Sequence, residues 1–599
     1  MIPMRDGVEL HTLILMPKAR MPLPILLMRT PYEADSRLRV RQRTRLHSVI
    51  GPELAELQGQ GYIFVFQDVR GRHGSGGRFE LNRPPRGRLN TSATDETTDA
   101  WDTIDWLMRN VPENNGRAGI YGSSYAGWTA LMALLEPHTA LKAAVPVQPL
   151  VDGWAGDDWF HNGAFRLPYA FEYVHLMESD PKALTPFPFS QYDTYSWWLE
   201  APSAVELGRR YLDEQRHRFW SILMHNPAYT EHWRSIAVDR LLRESEARLV
   251  PTMHVHGWFD QEDLYGAFAA HAAMKPRDPA NEFVYLVAGP WFHGQNWETG
   301  ERTGAVAWTE DAAQHWRQHY LAPFLSHYLH DGPPHGLSPV TAFNTGVRRW
   351  ERLNGWPHTQ GACFRSLYLA PRGKLSWEAS TAPGVTADAY VSDPAKPVPY
   401  QPRPARRIFR DEAGPYAWRI WMTRDQRFVD GRPDVLTYAS DPMSVELTLR
   451  GTVTARLFAA TTGTDADWVV KLIDVFPDLD PAEPEMSGYQ LMISGDILRG
   501  RYRRHWDRPE PIAANEVLEY TIRLPQVSHT IRAGHRLMVQ VQSTWFPLYD
   551  RNPQRFVPII MEARPEDYQA ATHRIHSSAA HPSRIELWVE TGDAAGCRP

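Results

Sequence analysis

The stretch Gly122-Ser123-Ser124-Tyr125-Ala126-Gly127-Trp128 decides the fold. It follows Arg117-Ala118-Gly119-Ile120-Tyr121, a short apolar run of strand length, and leads into Trp128-Thr129-Ala130-Leu131-Met132-Ala133-Leu134-Leu135, which has the texture of a helix. A strand, a tight turn and a helix with serine at the apex make a nucleophile elbow. The serine must sit on a sharp turn, and its neighbours must be small so that strand and helix pack closely. Gly122 and Gly127 meet that need. The common pattern has its second glycine two residues after the serine; here Ala126 stands there, so the motif is a variant.

A serine hydroxyl is a weak nucleophile until a base takes its proton, and the base needs a carboxylate to orient it. In strand–helix sheets of this kind the order is Ser, Asp, His. Met253-His254-Val255-His256-Gly257-Trp258-Phe259-Asp260 is a strand running into a loop that carries an acid. Phe283-Val284-Tyr285-Leu286-Val287-Ala288-Gly289-Pro290-Trp291-Phe292-His293 is a strand running into a loop that carries a histidine. Each group lies just past a strand's C-terminal end, where open α/β sheets place their sites. Ser124, Asp260 and His293 are therefore the expected catalytic set. Taken singly, Asp260 reads equally well as a helix cap and His293 as a loop histidine; the three matching strand ends in the right order favour the triad.

The chain has 599 residues, too many for one core, so two or three domains are expected. A net charge of −6 without basic runs excludes a nucleic-acid or membrane-surface footprint. No apolar run is long enough to span a bilayer. Two cysteines, Cys363 and Cys597, are too few and too far apart for a metal site or a disulfide framework, and both are expected as free thiols. No metal or cofactor is expected, and the partner is a small molecule. Met1-Ile2-Pro3-Met4-Arg5-Asp6-Gly7 passes straight into a strand pattern with no signal peptide, which reads as cytoplasmic, or as periplasmic if a leader has been trimmed.

Outward from the elbow, Val8–Pro17 alternates as an antiparallel edge strand, Leu23–Thr30 follows, and Gly61–Asp68 is a nearly continuous apolar run suited to a buried parallel strand. The glycine-rich loop after Asp68 lacks the lysine and the immediate helix of a phosphate cradle, and reads as a structural loop beside the site. Residues 95–110 form an amphipathic helix with an acidic first turn. Strand signal fades from 151 to 249, where helical and proline-rich segments predict an inserted cap. After Pro339, short strands separated by Gly, Pro and Asp turns predict an all-β sandwich. The expected architecture is an α/β-hydrolase sheet (1–145 and 249–338) with a helical cap (146–248) and a C-terminal jelly roll (339–599).

Several of these stretches resemble the cocaine-esterase-type and α-amino-acid ester hydrolases, akin to X-prolyl dipeptidyl aminopeptidases. They include Ile2–Val8, Arg29-Thr30-Pro31-Tyr32, Asp68-Val69-Arg70-Gly71, the elbow, Gly289–His293, Ala533–Leu537 and Trp545-Phe546-Pro547. The resemblance is greatest to the α-amino-acid ester hydrolases, through Gly156–Arg166 and Trp258-Phe259-Asp260-Gln261-Glu262-Asp263. It implies that Asp158, Glu262 and Asp263 form a carboxylate cluster for a substrate α-ammonium group, and that Tyr32 joins the Tyr125 amide as an oxyanion donor. The elbow supports Tyr125 independently, because the residue after the nucleophile supplies a backbone donor in this fold. It also implies an acyl-enzyme released by water or by an amine, the latter being β-lactam acylase chemistry. Tyr169, Trp197, Trp198 and Trp258 are candidates for the acyl pocket. Members of that subfamily carry a leader and an N-terminal arm that helps build a tetramer; this chain starts at the first strand, which leaves a dimer or tetramer open.

Two other readings remain. Without the resemblance, Glu262 and Asp263 are ordinary loop acids and Asp158 a cap, which leaves a general esterase or a glutaryl-type β-lactam acylase. A carbohydrate-binding protein with a dead hydrolase half is the alternative from another class.

Overall fold

The computed structural model describes residues 1–18, 21–37, 51, 54–381, 386–409, 411 and 417–591. Thr12–Leu15 (β1), Leu23–Thr30 (β2), Ile63–Asp68 (β3), Asn114–Ser123 (β4), Leu141–Val147 (β5), Thr252–Gly257 (β6), Val284–Gly289 (β7), Val340–Asn344 (β8) and Arg349–Leu353 (β9) form one nine-stranded sheet. Its order is β9-β8-β7-β6-β5-β4-β2-β3-β1. Strands β2 to β8 run parallel, and β1 and β9 close the edges antiparallel. β3, β6 and β7 are buried at every residue, as strands covered on both faces must be. Two helices pack beside the elbow, Glu96–Asn110 (α1) and Tyr125–Met132 (α2). Asp95 caps α1 by accepting from the Thr97 and Thr98 amides while the Thr98 side chain returns the bond.

The expected boundary at 338/339 is corrected by this sheet. β8 pairs with β7 from Leu286↔Val340 onward, and β9 folds back on β8, so the hydrolase sheet runs to Leu353. An edge hairpin of an α/β sheet and a sandwich strand have the same local texture, and only long-range pairing separates them.

Between β5 and β6 lies the cap: Leu167–Glu178 (α3), Thr194–Glu200 (α4), Ala204–Tyr211 (α5), Arg218–His225 (α6), Glu231–Ile236 (α7) and Val238–Glu244 (α8). A two-residue hairpin, Phe160–His161 with Ala164–Phe165, precedes α3 and is invisible to periodicity. The cap's aromatic content is largely core. Trp197 and Trp198 pack against Phe171, Phe187 and Phe189, and Trp258 stacks on Phe268 and donates to the Phe343 carbonyl. Of the four aromatic candidates for the acyl pocket, Tyr169 alone touches the acidic residues.

The C-terminal β domain is built on an eleven-stranded sheet among the described residues. Where short strands are expected the domain has one long strand, Leu447–Thr461, interrupted by a register shift between Gly451 and Val453. Gly451 has φ +101°, a conformation that suits glycine, so the break in pattern is a β-bulge rather than a turn. Cys363 is not a free thiol but is disulfide-bonded. It opens a strand paired antiparallel with Arg584–Thr591, Cys363 facing Val589, which brings the beginning of the domain beside its end. Cys597 lies outside the described residues.

The elbow depends on Gly127: a Cβ there would stand 2.8 Å from the Val147 carbonyl oxygen of β5. Gly127→Ala is expected to cost about 1–3 kcal/mol of stability through this forced backbone contact. Denaturant or thermal unfolding of the variant checks it, and wild-type stability would remove the close-packing account.

Candidate active site

Ser124 ends the strand–turn crossing from β4 into α2 with φ 58° and ψ −127°, well outside the regions that L-residues favour. Its amide is held by the Val147 and Gln148 carbonyls at 3.0 and 3.1 Å, which keeps the strained turn in place. A Cβ on Gly122 would lie 2.5 Å from the Ala126 Cβ, so the alanine of the variant motif is accommodated because residue 122 has no side chain. Tyr125, the first residue of α2, offers an amide with no intrahelical partner.

The loops after β6 and β7 meet above this turn. His293 Nδ1 bonds Asp260 Oδ1 at 2.9 Å and approaches Oδ2 at 3.1 Å. Asp260 Oδ1 also accepts from the amides of Glu262 (2.9 Å) and Asp263 (3.0 Å), so one fully buried carboxylate orients the imidazole and folds the acidic loop. His293 Nε2 faces Glu262 Oε2 at 3.5 Å. Among the described residues no hydrogen bond joins Ser124 Oγ to His293; Ser124 instead faces the Tyr32 hydroxyl. Burial opposes charge on the imidazole, but the Asp260 and Glu262 carboxylates outweigh it and push the His293 pKa up to about 9.

The three acids expected as a cluster are together. Glu262 Oε2 accepts from the Tyr169 hydroxyl at 3.1 Å, and Oε1 accepts from Gln261 Nε2 at 2.9 Å and Trp418 Nε1 at 2.8 Å. Asp158 is raised to about 7 by burial and then by Glu262. Burial, together with Asp158, Asp157, Asp260 and Glu262, raises Asp263 well above the carboxylate range. Asp158 Oδ1 and both oxygens of Asp263 are buried without a hydrogen-bond partner. Asp157 behaves differently: four backbone amides, of Val151, Asp152, Tyr265 and Gly266, satisfy it. No group of three His, Cys, Asp or Glu among the described residues is arranged to hold a metal ion.

Tyr32 follows β2 and reaches the Tyr173 hydroxyl of α3 at 2.6 Å. Its own hydroxyl is raised far above the usual tyrosine range by burial.

Sequence reading missed the supports. Gln148 grips the histidine loop at two points, its Oε1 accepting from Gly294 N at 2.8 Å and its Nε2 donating to the Phe292 carbonyl at 3.2 Å. Gln261 Oε1 accepts from the His293 amide at 3.1 Å. Arg166, fully buried, donates to the Glu262 carbonyl at 2.8 Å and to the Gln261 carbonyl, and lies over the rings of Tyr169 and Trp418. Trp418 comes from the C-terminal half. Gln148 sits one residue past the end of β5, which was a usable signal; Arg166 and Trp418 carried none.

A strained serine after a parallel strand, a buried His–Asp pair at two further strand ends and a cap over them define a serine hydrolase of the α/β-hydrolase class. The chain belongs to the X-Pro dipeptidyl-peptidase (S15) family, whose model matches residues 6–295, while residues 335–586 match the X-Pro dipeptidyl-peptidase C-terminal non-catalytic domain. It is 45% identical to an α-amino acid ester hydrolase of known structure, covering 98% of this chain and 95% of that one with a TM-score of 0.94. An aminopeptidase from a marine sediment Thaumarchaeota archaeon is 44% identical, with 99% and 96% coverage and a TM-score of 0.95. Cocaine esterase of Rhodococcus sp. (strain MB1 Bresler) is 29% identical over 98% of this chain and 97% of its own length. No helix among the described residues is long and apolar enough to cross a membrane.

A base works only when neutral, so activity rises as pH passes the imidazole pKa. Glu262 raises that pKa, and Glu262→Gln is therefore expected to move the acid limb of the kcat/KM profile for an uncharged ester to lower pH. An unmoved limb would show that the Glu262 charge does not reach the imidazole.

Proposed function

We propose that the protein hydrolyses esters, and amides, of α-amino acids, holding the substrate α-ammonium on Asp158, Glu262 and Asp263. The observation that carries this reading is the set of unspent carboxylate oxygens on Asp158 and Asp263, enclosed beside Glu262. Buried carboxylates without donors are costly, and three so close together repel one another. A substrate ammonium supplies both missing elements, a positive charge and three N–H donors. The names of two relatives point the same way, since an α-amino acid ester hydrolase and an aminopeptidase both work next to an amino group.

In this mechanism Ser124 Oγ attacks the acyl carbon while His293 Nε2 takes its proton. Asp260 holds the imidazole tautomer and stabilises the imidazolium. The carbonyl oxygen, now carrying the electron pair, is met by the Tyr125 amide and the Tyr32 hydroxyl. His293 then protonates the leaving alcohol or amine, and acyl-Ser124 remains. Water attacks with His293 again as base and releases the acid; an amine nucleophile, such as a β-lactam nucleus, would leave with the acyl group instead. Glu262 Oε2 lies 3.5 Å from His293 Nε2. An ammonium on Glu262 offsets that charge, lowers the imidazole pKa and frees Nε2 for Ser124, so the correct substrate prepares its own base.

A phenylglycine ester is expected to exceed its desamino phenylacetate analogue in kcat/KM by about 10- to 100-fold, the worth of a charge-assisted bond. Asp158→Asn should lose that preference and keep activity on the neutral ester. Equal rates for the two esters in the parent enzyme would leave a general esterase, the activity named for the Rhodococcus relative. A fluorophosphonate that fails to label Ser124, with no ester turned over, would remove the triad itself. Amino acid p-nitroanilides, compared with the matching esters, separate aminopeptidase from esterase use of the same site.

A further inference from the structure

A hydroxyl carries one proton, and the Tyr32–Tyr173 contact raises the question of which ring donates. If Tyr32 donates to Tyr173, its proton is unavailable to the substrate and the Tyr125 amide is left to stabilise the oxyanion alone. We propose that Tyr173 is a positioning residue of the oxyanion hole, its hydroxyl donating to Tyr32 Oη so that the single Tyr32 proton is directed at the acyl oxygen on Ser124. This rests on Tyr32 being an oxyanion donor, as read above.

One observation supports that direction, and two more hold the rings in place. The 2.6 Å contact is the one hydrogen bond of the Tyr173 hydroxyl among the described residues, so its proton has no competing destination there. Tyr32, by contrast, has Ser124 on its other side. The Tyr173 ring is also locked in place: it stacks on Tyr169 at 5.6 Å and 9°, and packs against Trp159 at 5.7 Å and Phe409 at 5.6 Å. Finally, a buried cation ties the two tyrosines' segments together. Arg72 donates to the Met177 and Asp180 carbonyls at the end of α3 (2.8 and 2.7 Å) and to the Pro31 carbonyl next to Tyr32 (3.3 Å). His73 adds a 2.9 Å contact to the same Pro31 carbonyl. Burial raises both phenols above their ordinary range, so each keeps its proton. A donor bonded to Tyr32 Oη polarises its O–H and strengthens the bond given to a developing oxyanion.

The test is a double-mutant cycle with Tyr173→Phe and Tyr32→Phe on the best amino acid ester, with kcat normalised to the Ser124 titrated by a fluorophosphonate. Tyr32→Phe is expected to lower kcat about 100-fold. Tyr173→Phe should lower it about tenfold with KM within about twofold, and the double variant should match Tyr32→Phe, because Tyr173 acts only through Tyr32. Affinity for a phenylboronic acid, which forms a tetrahedral adduct on Ser124, should fall with kcat in Tyr173→Phe. Unchanged kcat and boronate affinity in Tyr173→Phe, or the same tenfold loss in the Tyr32→Phe background, overturns the proposal while leaving the oxyanion reading intact. Wild-type kcat in Tyr32→Phe removes both.

Discussion

One buried carboxylate organises the site. Asp260 accepts the His293 Nδ1 proton, and the same oxygen accepts the amides of Glu262 and Asp263. Orientation of the imidazole and folding of the acidic loop are thus a single hydrogen-bonding event, which sets the distance between Nε2 and the Glu262 carboxylate. The surrounding polar groups serve this arrangement. Gln148 and Gln261 hold the backbone of the histidine loop, and Arg166 holds that of the acidic loop while its guanidinium offsets some of the local negative charge. A protein interior tolerates five acids so close together only because Asp157 and Asp260 are satisfied by backbone amides. Unmet hydrogen-bonding capacity within this group is thereby confined to Asp158 and Asp263.

The parts of this structure legible in the sequence are those with local causes. The elbow announces itself through small residues around a serine, β3 and β7 through apolar runs, and α1 through its amphipathic pattern and acidic first turn. Asp260 and His293 were readable because the sheet places functional groups at strand ends, a rule that needs no knowledge of neighbours. What escaped was set by contacts between distant segments. The β8–β9 hairpin looks like sandwich, the bulge at Gly451 looks like a turn, and the pairing of the Cys363 strand with the last strand cannot be read from spacing. The aromatic candidates for the acyl pocket part company for the same reason. Trp197, Trp198 and Tyr169 are alike in sequence, and only the packing of the cap sends one of them to the acids and the others to the core. The grouping of Asp158 with Glu262 came from the family resemblance, not from the residues themselves.

The comparisons and the geometry bear on different levels. Similarity across nearly the whole chain shows the family and the hydrolase class. Choice of substrate rests on a handful of side chains, and there the relatives' names diverge between amino acid esters, peptides and cocaine. On the proposed reading the unsatisfied oxygens of Asp158 and Asp263 favour an acyl group that carries a cation, a property amino acid esters and peptides share.

Trp418 crosses from the C-terminal half to donate to Glu262, and the segment around it packs on Tyr169 and Arg166. The C-terminal half therefore builds part of the surroundings of Glu262, although its family model is described as non-catalytic. If Glu262 holds the substrate as proposed, the C-terminal half takes part in selectivity: a chimera that imports a relative's β domain would inherit that relative's indole, or its replacement, opposite an untouched nucleophile. Preference could then drift by recombination between lineages, with no substitution in the chemical machinery.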